Sequence, residues 1–278
     1  QVQSGFADCI IAGGVESIST TQGKGNMHMY VNEKLAEEAP GIYHAMGTTA
    51  ETVAKRYGVS RESQDEYALS SQERCAKGQD QGLFDDEIIP METKMLLVNK
   101  ETGAEKEVDT VVDKDNCNRP DTTLEGLAGL KPVFDPEEGS VTAGNSSQLS
   151  DGASVTMVMS EDKANELGIK PLAYFRGFTV IGCQPDEMGI GPLYSIPKLL
   201  KSANLTVDDI DLWELNEAFA SQVVYIRDQL GLPTDKLNIN GGSIAIGHPF
   251  GMTGSRQVGH LTRELRRRDG KYGIVTMC

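Results

Sequence analysis

The sequence predicts an α/β protein, because strand-like and helix-like runs alternate along its second half and follow each other in its first half. After Leu167, apolar runs typical of strands alternate with helix patterns. The runs are LAYFRGFTVIG (strand), SIPKLLKSANL (helix), DIDLWEL (strand), AFASQVVYIRDQLG (helix), GMTGSRQVGHLTRELRRR (helix) and YGIVTMC (strand). Gly231 and Pro233 are expected to end the second of these helices.

The first half carries the same kinds of signal. ADCIIAGG predicts a buried strand that enters a tight turn. MGTTAETVAKRYG predicts a helix that ends at Gly58, and Ser60 is placed to cap a second helix through about Lys77. Residues 78–132 are charged and interrupted by turn signals, which favours an excursion from the core. A loop rich in Gly, Ser and Asn then leads into the apolar run ASVTMVM.

Composition and net charge argue against several classes of protein. The chain has 278 residues and a formal net charge of −15, which argues against a nucleic-acid-binding protein. It has no apolar run long enough to span a membrane. The five cysteines are far apart, without the spacing of a zinc site, so we expect no metal and no disulfide scaffold. The chain begins without methionine and stops inside a predicted strand, and both ends therefore look cut from something longer.

The stretch GGSIAIGHPFGMTGSR sets five glycines around His248, one of only 4 histidines. Glycines allow close approach of a ligand, and a helix predicted to begin near Thr253 adds unpaired N–H groups. An imidazole there could act as a base or donate to an oxyanion. A glycine-rich turn with a structural histidine is equally open, and a phosphate loop is less favoured because no Gly-Lys-Ser/Thr follows.

Three further stretches could carry chemistry. Asn216, in NEAFA, lies at a strand-to-helix junction, where its amide could hold an active-site water or simply cap the helix. Cys278 follows an apolar strand at the end where α/β sheets bind ligands, although a buried apolar cysteine is the common alternative. TAGNSSQLSDGA could line a narrow ligand tunnel or form a surface loop.

Taken together, these stretches resemble the thiolase family over most of the chain. AGGVESIS, MGTTAE, TAGNSSQLSDGA, NEAFA, GGSIAIGHPFGMTGSR and GIVTMC follow each other in the family's order and spacing. The resemblance implies a five-layered αβαβα fold of two similar halves with an inserted loop domain. Residues 1–24 and 133–167 would form part of the N-terminal half, 25–132 the loop domain and 168–278 the C-terminal half.

SSQLSDGA and PDEMGIGP are more similar to degradative 3-ketoacyl-CoA thiolases than to the acetoacetyl-CoA-forming branch. The implied activity is that of an acetyl-CoA C-acyltransferase of fatty acid β-oxidation, which forms acetyl-CoA from 3-ketoacyl-CoA and CoA through a cysteine acyl-enzyme. CoA would be a co-substrate, with no permanently bound cofactor. A homodimer or homotetramer is expected, in the cytoplasm of a bacterium or in the peroxisome or mitochondrion of a eukaryote.

The resemblance also implies residue roles. His248 would activate the nucleophilic cysteine and line an oxyanion hole, Asn216 would hold the water of that hole, and Cys278 would act as acid and base. The positions that match contacts to CoA or to the substrate tunnel are Ser147, Ala143, Met46, Phe134, Phe219 and, near the adenine, Arg119.

The chain departs from the family pattern in three places. Relatives often have His-Met before the GTTAE segment, whereas here Ala45 precedes Met46 and His44 is displaced. The family's nucleophilic cysteine precedes the AGGxES turn, Cys9 lies too close to that turn, and the glycine-rich strand after the second cysteine has no match here. The first half is therefore expected to be incomplete and the chain as given inactive. A biosynthetic thiolase, a ketoacyl synthase and a non-catalytic CoA or acyl-CoA binding fragment stay as alternatives.

Overall fold

A computed structural model describes residues 1–278 and contains ten α-helices and six strands. The helices are α1 (Ile18–Thr21), α2 (Glu33–Glu38), α3 (Met46–Tyr57), α4 (Arg61–Asp80), α5 (Leu124–Ala128), α6 (Glu161–Glu166), α7 (Gly191–Ala203), α8 (Ala220–Leu230), α9 (Ser243–Ile246) and α10 (Thr253–Arg267). The strands are β1 (Cys9–Ser17), β2 (Met91–Val98), β3 (Glu105–Val112), β4 (Asp151–Met159), β5 (Leu212–Leu215) and β6 (Gly273–Thr276). Short 3-10 turns lie at Pro40–Tyr43, Pro185–Ile190 and Val207–Asp209.

The helix α3 ends and α4 begins where the sequence predicts, and α4 runs to Asp80, beyond the predicted end near Lys77. Gly58 adopts a left-handed φ of 69° and ends α3. Ser60 then caps α4, because its side chain accepts a hydrogen bond from Ser63 N. The face of α4 that carries Tyr67 and Cys75 is buried, as its spacing predicts.

The main core surrounds the parallel pair β5 and β6. Leu212 pairs with Gly273 and Leu215 with Thr276, while Trp213 forms a further parallel bridge to Leu237 on the other side of β5. All four residues of β5 are buried. The helix α8 contributes Val223 and Ile226 to the same core and ends at Gly231 with a left-handed φ of 64°, as predicted.

The strands β1 and β4 form an antiparallel ribbon whose outer face is exposed. The prediction that β1 is buried and enters a tight turn is wrong, because the strand runs on through both glycines and Ile11 and Val15 are solvent-exposed. The glycines serve close packing instead. A side chain at Gly14 would collide with the carbonyl of Gly251, so β1 lies directly against the loop that follows His248.

A segment predicted as a strand is irregular. Residues 172–182 form no ladder with any strand of the chain, and their aromatic residues Phe175 and Phe178 are exposed. An apolar run becomes a strand only when a neighbouring backbone supplies hydrogen bonds, and this run has none within the chain.

The hairpin of β2 and β3 lies within residues 25–132 and is exposed along nearly its whole length. It fits the prediction of an excursion in this region, although the predicted domain boundaries stay a prediction. No helix of the chain is long and apolar enough to cross a membrane.

A buried polar contact joins this excursion to α10. His260 Nδ1 lies 2.9 Å from Glu87 Oε1, and its Nε2 lies 3.2 Å from the Asn240 amide nitrogen. Burial alone lowers the pKa of His260, but the hydrogen bond to Glu87 and the charge of Glu214 outweigh it and raise the pKa overall. The stability of this junction therefore depends on the charge state of His260.

Candidate active site

His248 lies between the short helix α9 and the start of α10 at Thr253, as the sequence predicts. Gly247 has a φ of 91°, a conformation that residues with side chains rarely adopt. A side chain at Gly247 would also collide with Ser150 Oγ. The glycine therefore brings the backbone next to His248 into contact with the loop 142–150.

His248 is half-buried and makes one hydrogen bond. Its Nδ1 lies 2.6 Å from Thr253 Oγ1, and its ring packs edge-on against Phe250 with 5.2 Å between ring centroids. Burial, and then the positive charge of Arg256, lower the pKa of His248 to about 4. The imidazole is therefore neutral at neutral pH and can accept a proton.

Asn216 follows β5 and is completely buried. Its backbone N–H donates to Thr276 O at 2.9 Å, and its Oδ1 accepts a hydrogen bond from Ser243 Oγ at 2.6 Å. The other half of the amide, Nδ2, has no hydrogen-bond partner within the chain. The capping alternative is wrong, because the N-cap of α8 is Phe219 and no side chain caps that helix.

These contacts bring Asn216, the His248 loop and the end of β6 together. Ser243 is the first residue of α9, five positions before His248, and Thr276 is the last residue of β6, two positions before Cys278. Cys278 is exposed as a whole residue, yet burial around its thiol raises the thiol's pKa against a smaller lowering by the neighbouring Gln222. The thiol is therefore protonated at neutral pH.

The loop that contains Ser147 lies against the stretch around Asn216. Ser147 N donates to Ala218 O at 2.9 Å, and Ser146 forms an antiparallel bridge with Phe219. Ala143, at the start of this loop, is exposed. Two of the stretches singled out from the sequence, TAGNSSQLSDGA and NEAFA, are thus joined backbone to backbone.

Two of the apolar residues assigned to contacts with CoA or the substrate, Phe134 and Phe219, lie against each other. The rings of Phe134 and Phe219 pack edge-on, with 6.4 Å between centroids. Met46 begins α3, and a side chain at the next residue, Gly47, would collide with the Phe134 ring. Met46 and Phe134 are 47% and 42% exposed, so this apolar surface faces solvent and is accessible to a ligand.

Arg119 is not brought into this group. Its backbone N–H donates to Gln72 Oε1 at 2.8 Å, and its exposed side chain makes no hydrogen bond or ion pair within the chain. The contact through Gln72 reaches the site only indirectly, since Gln72 Nε2 donates to Ile244 O at 3.1 Å.

Sequence reasoning did not single out three residues that organise the site: Ser243, Thr253 and Glu217. Ser243 and Thr253 lie inside the glycine-rich stretch and hold the functional groups of Asn216 and His248. Glu217 is buried and accepts four hydrogen bonds from three separate parts of the chain. A carboxylate between Asn216 and an apolar helix start was the available signal, because charged residues are seldom fully buried without partners.

Comparison with known proteins identifies the fold and the family. The model of the thiolase N-terminal domain matches residues 1–162, and that of the thiolase C-terminal domain matches residues 169–278. The chain is 47% identical over 278 residues to the 3-ketoacyl-CoA thiolase of Bacillus subtilis (strain 168), covering 100% of this chain and 70% of that protein. It is 48% identical over 280 residues to the peroxisomal 3-ketoacyl-CoA thiolase B of Mus musculus, covering 100% of this chain and 64% of that protein.

Among solved structures, the dimeric peroxisomal thiolase of Saccharomyces cerevisiae superposes with a TM-score of 0.88 at 38% identity, covering 100% of this chain and 67% of that chain. The predicted α/β, thiolase-like fold is confirmed, as is the resemblance to degradative thiolases. The relatives' names agree with the predicted reaction and do not favour the biosynthetic alternative. The assignment of individual site residues stays a prediction.

Proposed function

Because the chain belongs to the thiolase family, we propose that it contributes active-site residues to an acetyl-CoA C-acyltransferase. Such an enzyme cleaves a 3-ketoacyl-CoA with CoA into acetyl-CoA and a shortened acyl-CoA. The main support for the proposal is the hydrogen bond that Ser243 donates to Asn216, because Ser243 begins the stretch that leads to His248. The unpaired amide of Asn216 lies at the end of the parallel strand β5, where α/β folds bind substrates, and the stretch that begins at Ser243 leads to the neutral imidazole of His248.

His248 is proposed as the base. A cysteine thiol placed against its free Nε2 would give up its proton and attack the 3-keto carbonyl as the thiolate. The proton passes from sulfur to Nε2, and the Cα–Cβ bond of the resulting tetrahedral adduct then breaks. None of the chain's cysteine thiols hydrogen-bonds to His248, which supports the proposal that these 278 residues alone do not turn over substrate.

Asn216 and Cys278 are proposed to act on the thioester side. The unpaired Nδ2 of Asn216 can donate to a water or to the thioester oxygen where negative charge develops. The raised pKa of the Cys278 thiol keeps it protonated, so it can deliver a proton to the Cα of the departing enolate. Loss of that proton leaves a thiolate, which the reverse reaction uses as the base.

The substrate's CoA arm is proposed to lie along Ser147, Ala143, Met46, Phe134 and Phe219, with Arg119 toward the adenine. CoA enters as a co-substrate, and no permanently bound cofactor or metal is required by this chemistry. By analogy with the yeast relative, which is described as dimeric, we expect a homodimer or homotetramer. The named relatives fit an intracellular location, which is the cytoplasm in a bacterium and the peroxisome or mitochondrion in a eukaryote.

Substitution of His248 tests the proposal. His248→Ala in the complete natural protein should lower the rate of CoA-dependent 3-ketoacyl-CoA cleavage by about 10²–10³-fold or more. His28→Ala is the matched control, because His28 is exposed and its one hydrogen bond, from its backbone N–H to Asn26 Oδ1, involves none of these residues. Normal turnover by His248→Ala would contradict the proposal.

The same assay on the 278-residue chain alone is expected to show no cleavage. CoA-dependent cleavage by that chain would contradict the proposal that it does not turn over substrate. A ketoacyl synthase would instead decarboxylate a malonyl thioester, and no such activity is expected.

A further inference from the structure

We propose that Thr253 is a positioning residue, which holds His248 in the tautomer that carries its hydrogen on Nδ1 and leaves Nε2 as the proton acceptor. The inference deepens the proposed function and rests on it, because it concerns how His248 comes to be a base. It rests on the contacts among the side chains of His248 and Thr253 and the backbone carbonyl of Pro249.

Thr253 Oγ1 carries one hydrogen and lies close to two polar atoms, so the direction of its hydrogen bonds matters. This oxygen lies 3.0 Å from Pro249 O and 2.6 Å from His248 Nδ1. Oγ1 can hydrogen-bond to both neighbours only if it donates its single hydrogen to Pro249, because a carbonyl oxygen can only accept. In that arrangement the hydroxyl accepts at its other contact, and His248 Nδ1 is the donor.

The protein holds this hydroxyl rigidly. Thr253 is completely buried, and its backbone N–H also donates a hydrogen bond to Pro249 O, at 3.1 Å. A β-branched side chain at the start of α10 has few allowed rotamers, so Oγ1 cannot turn away freely. On the other side, the edge-on contact with Phe250 limits rotation of the imidazole. The ring is thus constrained at both its Nδ1 side and its flank.

The tautomer decides what His248 can do. With its hydrogen on Nδ1, the neutral ring presents a lone pair at Nε2, which can take the proton of a thiol. When Nε2 is protonated, the Nδ1–H bond to Thr253 stays in place, and the hydroxyl dipole stabilises the imidazolium. Burial, and then the positive charge of Arg256, lower the pKa of His248 and keep the ring neutral before the proton arrives.

Nitrogen NMR of the 278-residue chain, with ¹⁵N-labelled histidine at neutral pH, reports the tautomer directly. The four histidines give four ring patterns, and the pattern lost in His248→Gln identifies His248. We expect a protonated Nδ1 and an unprotonated Nε2 in the wild-type chain. Thr253→Val keeps the shape but removes the hydroxyl, and a mixture of tautomers or the Nε2–H form is expected. Thr253→Ser should restore the wild-type pattern.

Two outcomes would overturn the proposal: an Nε2–H tautomer in the wild-type chain, or an unchanged Nδ1–H tautomer in Thr253→Val. If Thr253→Val does not fold, the wild-type pattern and its retention in Thr253→Ser still decide the question. In the complete natural protein, Thr253→Val should lower kcat by roughly 10²-fold with little change in KM. An Nδ1–H tautomer together with an absence of thiolysis by the complete natural protein would refute the proposed function and leave the role of Thr253 intact.

Discussion

Replacing Glu217 with alanine should lower the free energy of unfolding by about 3–5 kcal/mol. The Glu217 carboxylate is completely buried and forms no ion pair. Its Oε1 accepts from Tyr67 OH at 2.7 Å and Asn238 Nδ2 at 3.0 Å. Its Oε2 accepts from Ser71 Oγ at 2.7 Å and Ile244 N at 3.1 Å. Four donors from α4, the loop before α9 and α9 itself therefore depend on one side chain.

The magnitude follows from which donors can find another acceptor. Asn238 Nδ2 also donates to Leu215 O at 2.8 Å, so it keeps a partner in the Ala variant. Tyr67 OH and Ile244 N have no other acceptor, and each buried donor left unpaired costs about 1–3 kcal/mol. The lost packing volume adds to this. Glu217→Gln should cost less, about 1–3 kcal/mol, because its amide NH₂ opposes only one fixed donor, Ile244 N.

Urea unfolding measures these changes. Trp213 is the only tryptophan, lies buried on β5 and reports loss of the core by fluorescence. The matched control is Glu66→Ala, which removes an exposed carboxylate from α4 next to Tyr67 and should cost about 0.5 kcal/mol or less. If Glu217→Ala were no more destabilising than Glu66→Ala, the reasoning from buried donors would be refuted.

Two further predictions concern the same junctions. Gly242→Ala should destabilise the chain, because the new Cβ would lie 2.6–2.9 Å from the Glu217 carboxyl atoms, whereas Gly182→Ala has no neighbour within 4 Å and should be near neutral in the same urea assay. The raised pKa of His260 contributes stability that is complete below its unfolded pKa of about 6.5 and is lost as pH rises through the folded pKa. Glu87→Gln should therefore flatten the fall in urea midpoint as pH rises above about 6.5, and an unchanged slope would contradict the role of Glu87.

The sequence predicted those parts of the fold that local chemistry determines. Gly58 and Gly231 end helices because glycine adopts a left-handed φ, and Ser60 caps α4 because its hydroxyl reaches a free N–H. Burial of β1 and strand formation at 172–182 were predicted wrongly. Both depend on what lies against the segment in space, and an apolar run in the sequence does not contain that information.

The sequence predicted the residues that carry the functional groups, His248 and Asn216, but not the residues that hold them in place. His248 stood out because a scarce side chain lay among glycines, and Asn216 because it lay at a junction. Ser243 and Thr253 are ordinary hydroxyl residues in sequence. Their roles arise from contacts with Asn216 and His248 at 2.6 Å, which appear only once α9 and α10 are placed.

Asn216 and Glu217, which follow β5, differ in how many of their side-chain hydrogen-bonding groups have partners. Glu217 has all its hydrogen-bonding capacity used, by donors that fix the start of α9. Asn216 has only its Oδ1 used, and the buried Nδ2 is left without a partner, an arrangement that costs about 1–3 kcal/mol. The Glu217 carboxylate holds α9 through Ile244 N, and Ser243 of the same helix holds the Asn216 amide through Oδ1. Loss of Glu217 should therefore disturb the orientation of the Asn216 amide as well as lower the stability of the fold.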